Sequence, residues 1–159
     1  MTLQSNILKL IPIIDLDNQI RGGNFILSNK TDVVLLALLD SDNRILISKR
    51  LIEKPMGGMW EFPGGKVESG EMPEEALIRE IKEELSININ KSCIAPLAFS
   101  TATYDSNNLL LLLYVCRVWK GEIKMKEVDD IKWVEKRDLR KYNMPKGNES
   151  LVAMVIDYL

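Results

Sequence analysis

Two stretches set the pattern of this chain early: an apolar run bounded by Asp32 and Asp40, and an alternation of apolar and polar positions from Arg44 to Arg50. Ser41-Asp42-Asn43 lies between them and reads as a turn, so the pair predicts a β-hairpin. A Gly- and Pro-rich loop follows, from Pro55 to Gly65. At Pro73 the period changes. Proline suits a first helical turn, Glu74 and Glu75 suit its positive end, and Leu77, Ile78, Ile81 and Leu85 recur at helical spacing as a buried stripe. Further strands are predicted near Ile94 to Thr103, Leu109 to Trp119 and Ile131 to Val134, and an amphipathic helix closes the chain from about Glu149 to Tyr158. The order is α+β, without internal repeat or linker, which predicts a single folded domain.

Composition narrows what such a domain can do. The 159 residues suffice for a core without staples, and 46% apolar with 28% charged residues describes a globular chain. A net charge of −2 argues against a non-specific grip on a nucleic-acid polymer and leaves a small molecule as the expected partner. Cys93 and Cys116 form neither a metal-ligand spacing nor a disulfide framework, which fits a reducing cytoplasm. Leu109 to Val118 is too short to span a membrane, and the run from Ile7 to Ile14 is broken by Lys9 and Pro12 and lacks a basic leader or cleavage site. No membrane contact is therefore expected, and the expected localisation is cytoplasmic. Residues 1–27 read as an arm packed on a domain at 28–159, since Ile11, Ile13, Ile14 and Leu16 need cover. No histidine occurs. His-based triads, His-rich zinc sites and the usual neutral-pH base are thereby excluded, and chemistry is left to carboxylates, lysine, tyrosine or a hard metal.

Within Arg79-Glu-Ile-Lys-Glu-Glu-Leu-Ser-Ile87, Glu80, Glu83 and Glu84 stand at i, i+3 and i+4, so their carboxylates share one edge of the helix. Like charges so placed cost about 0.2–0.5 kcal/mol per pair. On a solvated face Arg79 and Lys82 would serve as counterions; a shared dication would instead turn the repulsion into attraction. Mg²⁺ suits the second case, because it takes about six oxygens from a few carboxylates, water and phosphate. Gly64 and Gly65 would let the backbone approach such an ion or a phosphate closely. Arg79 itself reads either as a surface charge or as a bidentate hold on a neighbouring carboxylate.

Gly65 is followed by five residues, Glu71, seven more residues and then REIKEELSI. This spacing resembles the Nudix box, in which a glycine, five residues, a glutamate and seven residues precede REUxEExGU, with U aliphatic. Ser86 departs from it, standing where the box has its second glycine. That position shapes the helix exit and bears no ligand, so a small cost in stability and none in catalysis is expected. The resemblance implies an α/β/α sandwich around a mixed sheet, with the box loop and helix on one side and a C-terminal helix. It also implies Mg²⁺, with Mn²⁺ as a substitute, held by Glu80, Glu83, Glu84 and the Gly65 carbonyl, while Glu71 and Arg79 brace the loop against the helix.

WEFPGGKVESGEMPEEALIRE and the residues around it, from about 28 to 159, look like the MutT branch of that family, whose members hydrolyse oxidised purine nucleoside triphosphates. The resemblance sets Arg50 and Phe62 at base-pocket positions, Glu127 at that of a further acid near the metal, and Asn148 at that of a base-reading asparagine. Phe62 reads equally as a core residue, and Asn148 as a cap on the last helix. The chemistry favours the amide as a reader. 8-Oxoguanine presents an N7 proton beside the O6 acceptor, which matches a side chain holding one acceptor and one donor, whereas guanine presents two acceptors. The implied reaction is hydrolysis of a nucleoside triphosphate such as 8-oxo-dGTP to monophosphate and pyrophosphate, with Glu83 or Glu127 taking the proton. The alternatives are a Nudix hydrolase of a pyrimidine nucleotide or an ADP-ribose-type diphosphate, and a non-catalytic binding module; monomer and homodimer both fit.

Overall fold

Residues 30–159 are described by the computed structural model, so the arm expected at 1–27 lies outside the described residues. They are organised around β1 (Lys30–Leu38). Alternate side chains of this strand enter two different cores. Val34, Leu36 and Leu38 join Ala76, Leu77, Ile81 and Leu85, whereas Leu35 and Ala37, with Leu39 just beyond, join Phe62, Leu151, Val152 and Val155. A strand buried on both faces has no wet side on which to place polar residues, hence its unbroken apolar run.

The loop expected between Pro55 and Gly65 contains two short strands, β3 (Trp60–Glu61) and β4 (Gly64–Lys66). β4 pairs antiparallel with β1 on one edge, and β6 (Asn107–Cys116) pairs with β1 in parallel on the other. β5 (Ile94–Tyr104) completes this mixed sheet by antiparallel pairing with β6. A second, antiparallel sheet places β2 (Ile45–Lys49) between β3 and β7 (Asp130–Val134). Helix α1 (Pro73–Leu85) covers one face of the mixed sheet and α2 (Lys146–Tyr158) the other, which makes the expected α/β/α sandwich.

The hairpin read from Asp32 to Arg50 is corrected. Its turn is present, with the Asp40 N–H donating to the Arg44 carbonyl at 3.1 Å and a single antiparallel bridge between Leu39 and Ile45. Beyond that bridge β1 and β2 part into separate sheets, because both edges of β1 are taken by β4 and β6. In α1 the buried stripe runs through Ala76, Leu77, Ile81 and Leu85, leaving Ile78 half-buried. Full burial of each large member contributes about 1.5–3 kcal/mol, so Leu77→Ala would cost about 2–5 kcal/mol. The helix starts where the Glu75 carboxylate accepts from the Met72 N–H, and it ends at Ser86 in the left-handed conformation, φ 61° and ψ 14°. α2 begins earlier than expected, after Pro145, which puts Asn148 inside the first turn rather than at the cap.

Candidate active site

The box loop and α1 are joined through Arg79. Its Nε and Nη2 donate to the two carboxylate oxygens of Glu71 at 3.0 and 2.9 Å, and Nη2 also donates to the Lys66 carbonyl at 3.0 Å. The Arg79 guanidinium holds the Glu71 carboxyl below its usual range, and Glu71 also accepts from the Glu68 N–H, which closes the loop. Arg79 Nη1 donates in addition to Glu80 at 2.8 Å and to Glu83 at 3.3 Å. Arg79 is thus a brace between loop and helix and a counterion to two of the three helix acids.

Glu84, the third acid, turns inward. It is buried, and one of its oxygens accepts from the Gly64 N–H at 3.0 Å. Burial, with added repulsion from Glu61 and Glu80, pushes its pKa up to about 8. Glu61 is buried beside it and is likewise raised by burial, opposed by Arg50, whose Nη1 donates to both Glu61 oxygens at 2.7 Å. Gly65 has its own requirement: a Cβ there would run into the Glu80 carboxylate, so only glycine lets that acid lie against the backbone.

Glu127 arrives from a distant segment. The Lys124 and Lys126 N–H groups donate to the Leu85 and Glu84 carbonyls at 2.9 and 3.0 Å, satisfying orphan acceptors in the last turn of α1. The next residue, Glu127, reaches the same cavity and forms a 3.7 Å ion pair with Lys54.

These elements enclose a cavity of about 550 Å³ that crosses the mixed sheet. On the β4 and α1 side it is lined by Glu61, Gly65, Glu80, Glu84 and Glu127, with Arg50 and Lys54 among them. Val33, Leu35, Leu109 and Leu111 form an apolar floor, and Tyr104, Pro145 and Asn148 line the β5–β6 side. The Asn148 side chain is buried and its Oδ1 has no hydrogen-bond partner among the described residues. Of the residues singled out in the sequence, Arg50, Gly65, Glu80, Glu84, Glu127 and Asn148 therefore meet in one cavity; Glu83 does not line it, its side chain being 47% exposed.

Phe62 is fully buried in the core beside α2 and does not line the cavity. Consecutive residues in extended chain face opposite ways, so a Phe62 turned to the core sends Glu61 to the cavity. The same alternation in WEFP was the sequence signal for Glu61, which was missed. Lys54 and Tyr104 were missed as well, since both lie in loop or hairpin ends with no local motif.

The donor set suits a hard divalent cation, being all oxygen and excess in acid on one side. Among the described residues no three acids converge on one point, because Glu80 and Glu83 lean on Arg79 and Glu84 on the Gly64 N–H. Glu83 and Glu80 are exposed or half-buried, and a cation among these acids would offset their mutual repulsion.

A mixed-sheet α/β/α sandwich with this loop, helix and acid-lined cavity defines a metal-assisted phosphohydrolase scaffold. The chain belongs to the NUDIX family, whose domain matches residues 29–155, and it is a MutT-like Nudix pyrophosphohydrolase. It is 33% identical over 100 residues to the 8-oxo-dGTP diphosphatase of Proteus vulgaris, covering 62% of this chain and 86% of that one. To the nucleoside triphosphatase NudI of Escherichia coli it is 34% identical over 122 residues, covering 70% and 86%. Among solved structures, MutT from a study of Aliivibrio salmonicida and Vibrio cholerae superposes with TM-score 0.68 at 34% identity, over 82% of this chain and 99% of that one. MutT protein from Methanosarcina mazei shares the fold, with TM-score 0.73 at 17% identity over 82% and 95%. Among the described residues no helix is long and apolar enough to cross a membrane.

Proposed function

We propose that this chain removes oxidised purine nucleotides from the cytoplasmic pool by hydrolysing 8-oxo-dGTP and related triphosphates to monophosphate and pyrophosphate, with Mg²⁺. The observation that carries the substrate is Asn148, a buried residue of the cavity wall whose Oδ1 has no partner among the described residues. A buried acceptor without a partner costs about 1–3 kcal/mol, and the N7–H of 8-oxoguanine would satisfy it. Guanine N7, itself an acceptor, would face it lone pair to lone pair. The relatives named as 8-oxo-dGTP diphosphatases support the same reading.

In this reading the apolar floor of Val33, Leu35, Leu109 and Leu111 receives the base, and the acid side receives the phosphates. Glu80, Glu84, Glu127 and the Gly65 carbonyl would hold Mg²⁺, with Glu83 joining on leaving Arg79, and the ion would supply charge neutralisation and a water acidified for in-line attack. Arg79 keeps Glu71 and the loop in place as Glu80 and Glu83 turn. Arg50, fixed by Glu61, and Lys54 bring positive charge to the side of the cavity where phosphate charge accumulates. The proton of the attacking water goes to Glu83 or Glu127, the two most exposed acids of the set.

Turnover compared across 8-oxo-dGTP, dGTP, dCTP, CTP and ADP-ribose tests the substrate; a preference for CTP, dCTP or ADP-ribose would replace it. Glu83→Gln should lower turnover by at least about a hundredfold with the thermal midpoint unchanged, and near-normal turnover in that variant would remove Glu83 from the machinery.

A further inference from the structure

The first turn of α2 lacks an ordinary cap. Its N-cap residue is Pro145, which offers no side-chain acceptor, and the N–H groups of a first helical turn need partners from elsewhere. The Tyr104 hydroxyl, at the end of β5, supplies one by accepting from the Gly147 N–H at 3.3 Å. Gly147 is pressed onto the sheet at the same place: a Cβ on it would overlap Leu111 Cδ1 and lie 3.0 Å from Ala102 Cβ. One turn further along, the Ser150 and Ser100 hydroxyls are bonded at 2.8 Å. The helix start is thus held to β5 and β6 at successive points, and Asn148, next to Gly147, is carried into the cavity by that seat.

We propose that Tyr104 is a positioning residue for base selectivity: its hydroxyl fixes the depth of the α2 first turn and so aims Asn148 at the base edge. This rests on the reading that Asn148 Oδ1 meets the base. Tyr104 lines the same cavity, so the residue is wall and latch at once. Only the latch needs the oxygen, which makes Tyr104→Phe the discriminating variant. Selectivity by a single amide is sensitive to such a latch, because a misplaced acceptor loses the bond to 8-oxoguanine and relaxes the clash with guanine together.

The test measures kcat and KM for 8-oxo-dGTP and dGTP in the wild type, Tyr104→Phe and Asn148→Ala, and the Kd of 8-oxo-dGMP in chelator. Tyr104→Phe is expected to lower the selectivity ratio about three- to tenfold, the worth of one neutral hydrogen bond, through KM for the oxidised substrate and with kcat for it unchanged. The Kd of 8-oxo-dGMP should weaken by the same factor. Asn148→Ala should lower the ratio further. If Asn148→Ala lowers the ratio and Tyr104→Phe leaves it intact, or weakens both substrates equally, the positioning role is overturned while base reading stands. If neither variant moves the ratio, or the wild type shows no preference, base reading fails and the latch with it. Gly147→Ala, which sets a Cβ against Leu111 and Ala102 beside the N–H that Tyr104 accepts from and leaves the Tyr104 hydroxyl in place, should lower the ratio in the same direction; an unchanged ratio there counts against the seat.

Discussion

The two sides of the cavity are built on opposite terms. The β5–β6 side is assembled by backbone bonds and close contact: Gly147 against Ala102 and Leu111, Tyr104 on the Gly147 N–H, Asn148 buried behind them. The β4 and α1 side is assembled from charge, with Glu61 and Glu84 buried next to one another and Arg79 and Arg50 holding part of the excess. Packing gives a wall that is finished before ligand arrives. Repulsion gives a wall that is least stable when empty and gains most when a cation enters. On the proposed function, specificity would fall to the packed side and catalysis to the charged side, each where the physics suits it.

The sharpest way to break that contrast is Glu84→Gln. Removing a buried oxygen proposed to hold the ion should lower turnover by two or more orders of magnitude. The same change should strengthen the metal-free protein. Glu84 titrates near 8 when folded and near 4.5 when free, so between those values the folded state binds more protons than the unfolded one. Stability then falls as pH rises through that window, by a few kcal/mol at full effect. Urea midpoints in chelator at pH 5 and pH 8.5 check this. The wild type should lose stability between them and the variant should lose much less; parallel curves would show that the acid side carries no such strain.

Arg50 offers the next largest effect. Its guanidinium is the partner of buried Glu61, and truncating one member of a buried pair costs about 3–5 kcal/mol because the other charge is stranded. Arg50→Met should therefore destabilise the fold strongly at pH 8 and less at pH 5, where Glu61 can take up a proton. Adding Glu61→Gln should restore most of the loss. A small effect of Arg50→Met, equal at both pH values, would mean that Glu61 is solvated and that charge on this side is not costly.

The contrast also explains what could be read from the sequence. Glu80, Glu83 and Glu84 lie on one helix, where spacing alone dictates which side chains are neighbours, whereas the pairing of Glu71 with Arg79, 3.0 and 2.9 Å apart in the structure, was implied by the resemblance to the Nudix box. Glu127 and Asn148 lie far along the chain and came from resemblance, not from any local pattern. The β1–β2 hairpin was misread because the true neighbours of β1 are β4 and β6, and register with β6 pairs Val33 with Leu111, a contact no local pattern announces. The Tyr104 latch was invisible for the same reason: a hydroxyl on a hairpin end and an N–H at a helix start become partners only when the sheet and α2 are both in place. For Phe62 both pocket wall and core were open from the sequence; the structure buries it in the core and turns its neighbour Glu61 to the cavity, as alternation in extended chain requires.

Ser86 gives the smallest and cleanest prediction, since it lies on the charged side without taking part in the charge. It holds the left-handed conformation at φ 61°, and its hydroxyl is buried without a partner among the described residues. Both features cost free energy that glycine would not, roughly 1 kcal/mol for the backbone alone. Ser86→Gly should raise the thermal midpoint by about 2–4 °C. Turnover should stay as it was, because the residue only ends α1, through its N–H on the Lys82 carbonyl, beyond Glu83 and Glu84. A rise in turnover with no gain in stability would show instead that the helix exit sets the position of the acids. The division between a packed side that fixes geometry and a charged side proposed to bind the ion would then have to be redrawn through the end of α1.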